Sequence, residues 1–165
     1  MKGLRALLAL GLLLALPGMA SAGGLNLQTL DGRRADLGEL LSHDKWTLVM
    51  VWTTYCGVCR TQYPVIGAFH AAHKDKDAVV LGISLDGYDQ GEKVRAYQVS
   101  HAQNFPSVLA SAEDFTDKYQ RTTGERFTGT PTYLLFDPGA RLRAYIDGPI
   151  SAADIEGYIG GARAH

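Results

Sequence analysis

Residues 46–64 read WTLVMVWTTYCGVCRTQYP. The run from Trp46 to Thr54 is nearly unbroken apolar and β-branched sequence, which suits a central strand buried on both faces. CGVCRTQYPVIGAFHAAHK, 56–74, then changes period. Val58, Tyr63, Ile66, Phe69 and His70 or His73 fall near helical spacing, and Pro64 predicts a kink. A strand therefore runs directly into a helix, with Cys56 and Cys59, the two cysteines of the chain, at the junction. A structural disulfide gains most by closing a long loop, and this one would enclose two residues. A structural zinc site usually takes four ligands. Neither reading fits easily; the remaining one is redox chemistry, in which the two sulfurs alternate between dithiol and disulfide.

Outward from this junction the pattern alternates. LNLQTLDGRRADL, 25–37, reads as a hairpin turning at Asp31-Gly32, and LGELLSHD as a short helix ending near His43. AVVLGISLD, 78–86, is a second buried-strand run. QGEKVRAYQVSHA, 90–102, is an amphipathic helix through Val94, Tyr97 and Val99. Pro106 keeps NFPSVLAS extended. AEDFTDKYQ, 112–120, is a short helix, followed by the polar loop RTTGERFTG. PTYLLFDPGARLRAYIDG gives two antiparallel strands joined at Asp137-Pro138-Gly139, and Ser151 caps a last helix. The order implies an α/β sandwich with a mixed central sheet and helices on both faces.

The first 22 residues stand apart. MKGLRALLALGLLLALPGMASA carries Lys2 and Arg5, an apolar run from Ala6 to Leu16, and a small-residue site ending at Ala22. This is the pattern of a secretory signal peptide cleaved after Ala22, and its apolar run is shorter than a membrane-spanning helix needs. The alternative is an uncleaved anchor. Residues 23–165 then form one domain, long enough for a sizeable core. The full chain has 16 basic and 17 acidic residues, a net charge of −1, and loss of Lys2 and Arg5 takes it to −3. No basic stripe points to nucleic acid. A secreted chain works where disulfides persist, with a bacterial periplasm the expected place.

The motifs together carry a resemblance. Cys56-Gly57-Val58-Cys59 follows a buried strand, with Trp52 four residues before it and Pro64 five after. Gly129-Thr130-Pro131-Thr132 opens a late strand. This resembles the thioredoxin fold. The N-terminal hairpin extension and the insert over 80–120 are similar to the TlpA/ResA-like thiol–disulfide oxidoreductases of bacterial envelopes, across essentially the whole of 23–165. The resemblance implies a thioredoxin-like three-layer sandwich, a redox-active Cys56–Cys59 pair, and a cis Thr130-Pro131 peptide beside it. The backbone of Thr130 would then pair with an extended substrate segment, with Tyr55 and Trp52 contributing to substrate binding. It implies no cofactor or metal. Implied partners are envelope-protein thiols and disulfides, such as apocytochrome c or a copper-site protein, with a membrane electron donor.

The residues themselves assign roles. Cys56, first in the helix, meets unpaired N–H groups and the positive end of the helix dipole, which favour its thiolate and make it the nucleophile. Cys59, one turn further in, is the resolving thiol. Gly57 and Val58 tune the couple. Val58 supplies an amide that a proline there would lack, in the direction of a more stable thiolate and a more oxidising couple. Two positions depart from the family pattern. Met50 stands where thioredoxins usually carry a buried acid, and Gln62 where the TlpA/ResA-like proteins often carry glutamate. Gln62 hydrogen-bonds but does not titrate, so the resolving step lacks its usual proton acceptor, which leaves the direction of electron flow open. The reading adopted is a reductase rather than an oxidase. Asp86 and Glu125 are the acids for which sequence gives no placement. Two alternatives remain. Thr53 lies three residues before Cys56, as in thiol peroxidases. A copper-binding or chaperone module would use the two thiolates but lacks a third ligand, and His70 and His73, three apart, share a helix face without completing a site.

Overall fold

The computed structural model describes residues 24–163. The expectation of a signal peptide over 1–22 lies outside them. Twelve elements follow in chain order. The hairpin β1 (Asn26–Thr29) and β2 (Arg34–Asp36) turns at Asp31-Gly32, where Gly32 takes φ +88°. Then come α1 (Leu37–Leu40), β3 (Trp46–Trp52), α2 (Gly57–His73), β4 (Ala78–Ser84), α3 (Gly91–Ser100), β5 (Ser107–Leu109), α4 (Ala112–Thr123), β6 (Thr132–Phe136), β7 (Leu142–Asp147) and α5 (Ala152–Arg163).

The strands form one mixed sheet in the order β2-β1-β5-β4-β3-β6-β7. β3, β4 and β5 are parallel, β6 is antiparallel to β3, and β1 is antiparallel to β5. All seven residues of β3 are buried, and their alternation supplies both cores. Trp46, Leu48, Met50 and Trp52 face one layer, packing with Cys59, Tyr63, Ile66 and Phe69 of α2 and with Ile155 and Ile159 of α5. Val49 and Val51 face the other, with Phe115 and Tyr119 of α4 and Leu37 of α1. The expected three layers are present. Among the described residues no helix is long and apolar enough to cross a membrane.

Three local readings change. The segment predicted only as extended around Pro106 joins the sheet as β5, between β4 and β1. Helix α4 runs three residues past its predicted end, to Thr123, and stops where Gly124 adopts φ +78° and its amide closes onto Gln120 O. Helix α1 is a single turn, capped by Asp36 accepting from the Gly38 amide at 2.8 Å, and ends where buried Leu41 turns extended. Helix α2 runs through Pro64 to His73, over the span read from sequence.

Candidate active site

The parallel pair β3 and β4 brings the carboxyl ends of both strands to one edge of the sheet, and the chain turns there into α2. Thr53, Thr54 and Tyr55 make that turn; the Cys56 amide donates to Thr53 O at 3.2 Å. The turn is anchored by Asp86, two residues past the end of β4, whose side chain is 1 % exposed. Its Oδ2 accepts the Thr54 amide at 2.9 Å and the Ser84 hydroxyl at 2.7 Å. Its Oδ1 accepts the Thr54 hydroxyl and, at 3.2 Å, Lys93 Nζ. Burial pushes this carboxyl's pKa up, but the Thr54, Ser84 and Lys93 donors outweigh burial and hold it below the usual carboxylate range. Asp86 is therefore an ionised tether, not a proton acceptor near neutrality. Glu125 lies beside Tyr145, whose β7 register with Leu134 puts it on the sheet face away from the cysteines.

Cys56 is the N-cap of α2, and its Sγ accepts the Cys59 amide at 3.0 Å. The amide that reaches the sulfur is thus Cys59's rather than Val58's. Cys56 and Cys59 are joined as a disulfide. Cys59 is fully buried and Cys56 partly exposed, so only the outer residue of the pair meets solvent. The Thr130 carbonyl oxygen lies 3.4 Å from Cys56 Sγ, and the Thr130-Pro131 peptide is cis. Exposed beside the pair are Gly57, Tyr55, 78 % accessible, and Val58, 46 % accessible.

One expected contact is overturned. Trp52 does not reach a substrate: it is fully buried. It lies on the β3 face that meets α2, edge-on to Tyr63 at 5.6 Å and close to Tyr97 at 5.8 Å. Met50 is likewise fully buried in that core. Gln62 is buried, and its Oε1 accepts the Tyr133 hydroxyl at 3.0 Å and the Ile150 amide at 2.9 Å. A backbone amide can only donate, so the amide oxygen and not the nitrogen must face Ile150. Sequence reasoning did not anticipate this bridge from α2 to β6 and to the segment just before α5, because its partners lie 71 and 88 residues away. His70 and His73 part company: His70 Nδ1 accepts the Val80 amide at 3.1 Å, while His73 sits between Asp77 and Glu156.

A model of the AhpC/TSA family matches residues 20–145. Among curated proteins, the thiol-disulfide oxidoreductase ResA of Oceanobacillus iheyensis is 22 % identical over 132 residues, covering 80 % of this chain and 64 % of that protein. The sporulation thiol-disulfide oxidoreductase A of Bacillus subtilis is 22 % identical over 111 residues, covering 67 % of this chain and 64 % of its own. The chain thus spans just under two thirds of the length of these relatives. Among solved structures, a thiol:disulfide interchange protein of the thioredoxin family from Chlorobium tepidum superposes with a TM-score of 0.67 at 21 % identity, over 90 % of this chain and 99 % of the other. The fold is thioredoxin-like.

Proposed function

The chain belongs to the AhpC/TSA family, and from that premise we propose that it is an extracytoplasmic thiol–disulfide oxidoreductase that reduces disulfides of other envelope proteins. The observation that carries the reading is the placement of the pair: one accessible sulfur at the start of α2, accepting a backbone amide, and one buried sulfur a turn behind it.

In the reduced protein the amide that now meets Cys56 Sγ stabilises a thiolate there, together with the helix dipole. Cys56 attacks one sulfur of a partner disulfide, and the other partner sulfur leaves as a thiolate. Cys59 then loses its proton and attacks Cys56 Sγ. The partner's second sulfur departs, two electrons have passed to the partner, and the Cys56–Cys59 disulfide has formed. Gly57 and Val58 shape the exposed rim with Tyr55, and the Thr130 backbone beside Pro131 docks the partner as an added strand does. Apocytochrome c and copper-site proteins are the partners that the resemblance suggests, with a membrane donor restoring the dithiol. The signal-like segment over 1–22 supports the extracytoplasmic location.

The test is Cys59→Ser. It should trap mixed disulfides with protein partners, and the alkylation rate of its Cys56 should titrate below the free thiol pKa of about 8.5. Equal trapping by Cys56→Ser reverses the roles. A thiol peroxidase is the second reading, favoured by one observation: the Thr53 hydroxyl, three residues before Cys56, is buried with no hydrogen-bond partner. Peroxide consumption by the reduced protein, at a rate matching its disulfide exchange, would select it.

A further inference from the structure

The loop that carries Thr130 and Pro131 is held from outside by a residue that plays no part in the exchange chemistry. Asp147 ends β7, directly across from Thr132 in the β6–β7 pairing. Its Oδ2 accepts the Thr128 hydroxyl at 2.9 Å, and its Oδ1 accepts the Thr132 hydroxyl at 3.0 Å. The next residue adds a third tie, the Gly148 amide donating to Pro131 O at 2.9 Å. One exposed carboxylate thus gathers both ends of the segment 128–132. The Thr130 carbonyl is left facing Cys56 Sγ.

We propose that Asp147 is a positioning residue that clamps the 128–132 loop, so that the Thr130 backbone is presented to a protein substrate at the Cys56 sulfur. The inference rests on the exchange reading given above. A proton count sharpens it. The Thr132 hydroxyl has a single proton and two acceptors, Gly129 O at 2.6 Å and Asp147 Oδ1 at 3.0 Å, so it must share that proton in a three-centre bond. An asparagine at 147 removes the competition. Its amide nitrogen donates to the Thr132 oxygen, which then donates wholly to Gly129 O, while its amide oxygen still accepts from Thr128. The clamp depends on shape and hydrogen-bonding capacity, not on charge. Asp147→Asn should keep it and Asp147→Ala should lose it.

The test compares the full chain with Asp147→Ala, Asp147→Asn and Thr128→Val. Insulin serves as the protein disulfide and dithiobis-nitrobenzoate as a small one, with amide hydrogen exchange measured over 128–132. For Asp147→Ala, KM for insulin should rise about fivefold or more with kcat within about twofold, and the rate with the small disulfide should stay within about twofold. Exchange in the loop should quicken. Asp147→Asn should match the parent in all three readouts. Thr128→Val, which removes one tie and leaves the β6–β7 ladder untouched, should fall between them and decides the matter if Asp147→Ala does not fold. Equal losses on both substrates would mean a general structural role and overturn the proposal. So would an Asp147→Asn that behaves like Asp147→Ala, or unchanged loop exchange in both Asp147→Ala and Thr128→Val. If the parent reduces neither disulfide, the exchange reading itself fails and takes the docking role with it, while hydrogen exchange still reports whether the clamp exists.

Discussion

Gln62 lies one helical turn beyond Cys59 on α2, and its side chain does not titrate. As an amide it offers Cys59 no proton acceptor, and Asp86, the nearest buried acid to the turn, is committed to its Thr54, Ser84 and Lys93 donors. The resolving step should therefore quicken with pH through the thiol range without levelling near neutrality. Gln62→Glu should introduce a plateau. Burial raises the new carboxyl's pKa, but the Tyr133 hydroxyl and Ile150 amide both donate at that point and pull it back. The plateau should begin below pH 7, and stopped-flow disulfide reduction over about pH 5–9 reads it. A parent protein that already shows the plateau would count against the role given to Gln62. His70 makes a second pH statement. Burial lowers its pKa, with the Lys74 charge adding to the effect, and its Nδ1 accepts the Val80 amide, a bond that protonation destroys. A depressed folded-state pKa means stability that is present above the unfolded value of about 6.5 and is lost as pH falls through the folded value. The melting temperature should decline from about pH 7 to 5 more steeply in the parent than in His70→Gln, whose amide oxygen can accept the same bond. Parallel curves would remove His70 from the acid response.

At the scale of elements, the helix ends follow local rules and can be tested with single methyl groups. Gly124 closes α4 at φ +78°, and a Cβ there meets no atom within 4 Å, so its cost is conformational alone. Gly124→Ala should destabilise by about 1 kcal/mol. Gly157, inside α5, also leaves a Cβ in open space but has no positive φ. Gly157→Ala should stabilise by up to about 1 kcal/mol. Urea midpoints that moved in the same direction for both would contradict the assignment of the α4 end. The last helix begins at the Ser151 cap read from sequence: the Asp154 amide donates to Ser151 Oγ at 3.2 Å, and the structure adds the return bond, the Ser151 amide donating to Asp154 Oδ2 at 3.0 Å.

For the whole molecule, redox state and stability are linked. A pair that reduces partners holds its own disulfide more favourably in the folded chain than in the unfolded one, so the oxidised protein should be the more stable form. An oxidant shows the reverse, because its reduced form is the stabilised one. Melting should therefore come at lower temperature after reduction, and the reduction potential should lie nearer −270 mV than −120 mV, roughly the thioredoxin and DsbA values. A reduced form that melts later would assign electron flow in the opposite direction.

The architecture was legible because its signals are local. The buried run of β3, the change of period at Cys56, the Asp31-Gly32 and Asp137-Pro138-Gly139 turns and the Ser151 cap each act within a few residues, so the sequence by itself determined the order of elements, the sandwich, and the placement of two cysteines at a strand-to-helix junction. The short β5 escaped because three residues carry too little periodicity to mark a strand; it exists through its neighbours β4 and β1. Trp52 was given a substrate contact by the resemblance alone, whereas a strand buried on both faces encloses it whichever face it takes. The bonds around the site were out of reach for another reason. Gln62 meets Tyr133 and Ile150, Thr54 meets Asp86 across 32 residues, and Asp147 meets Thr128 and Thr132 across 19 and 15. Such hydrogen bonds require donor and acceptor to converge within about 3 Å, a coincidence that no local propensity encodes and that only the closed sheet and its packed helices decide.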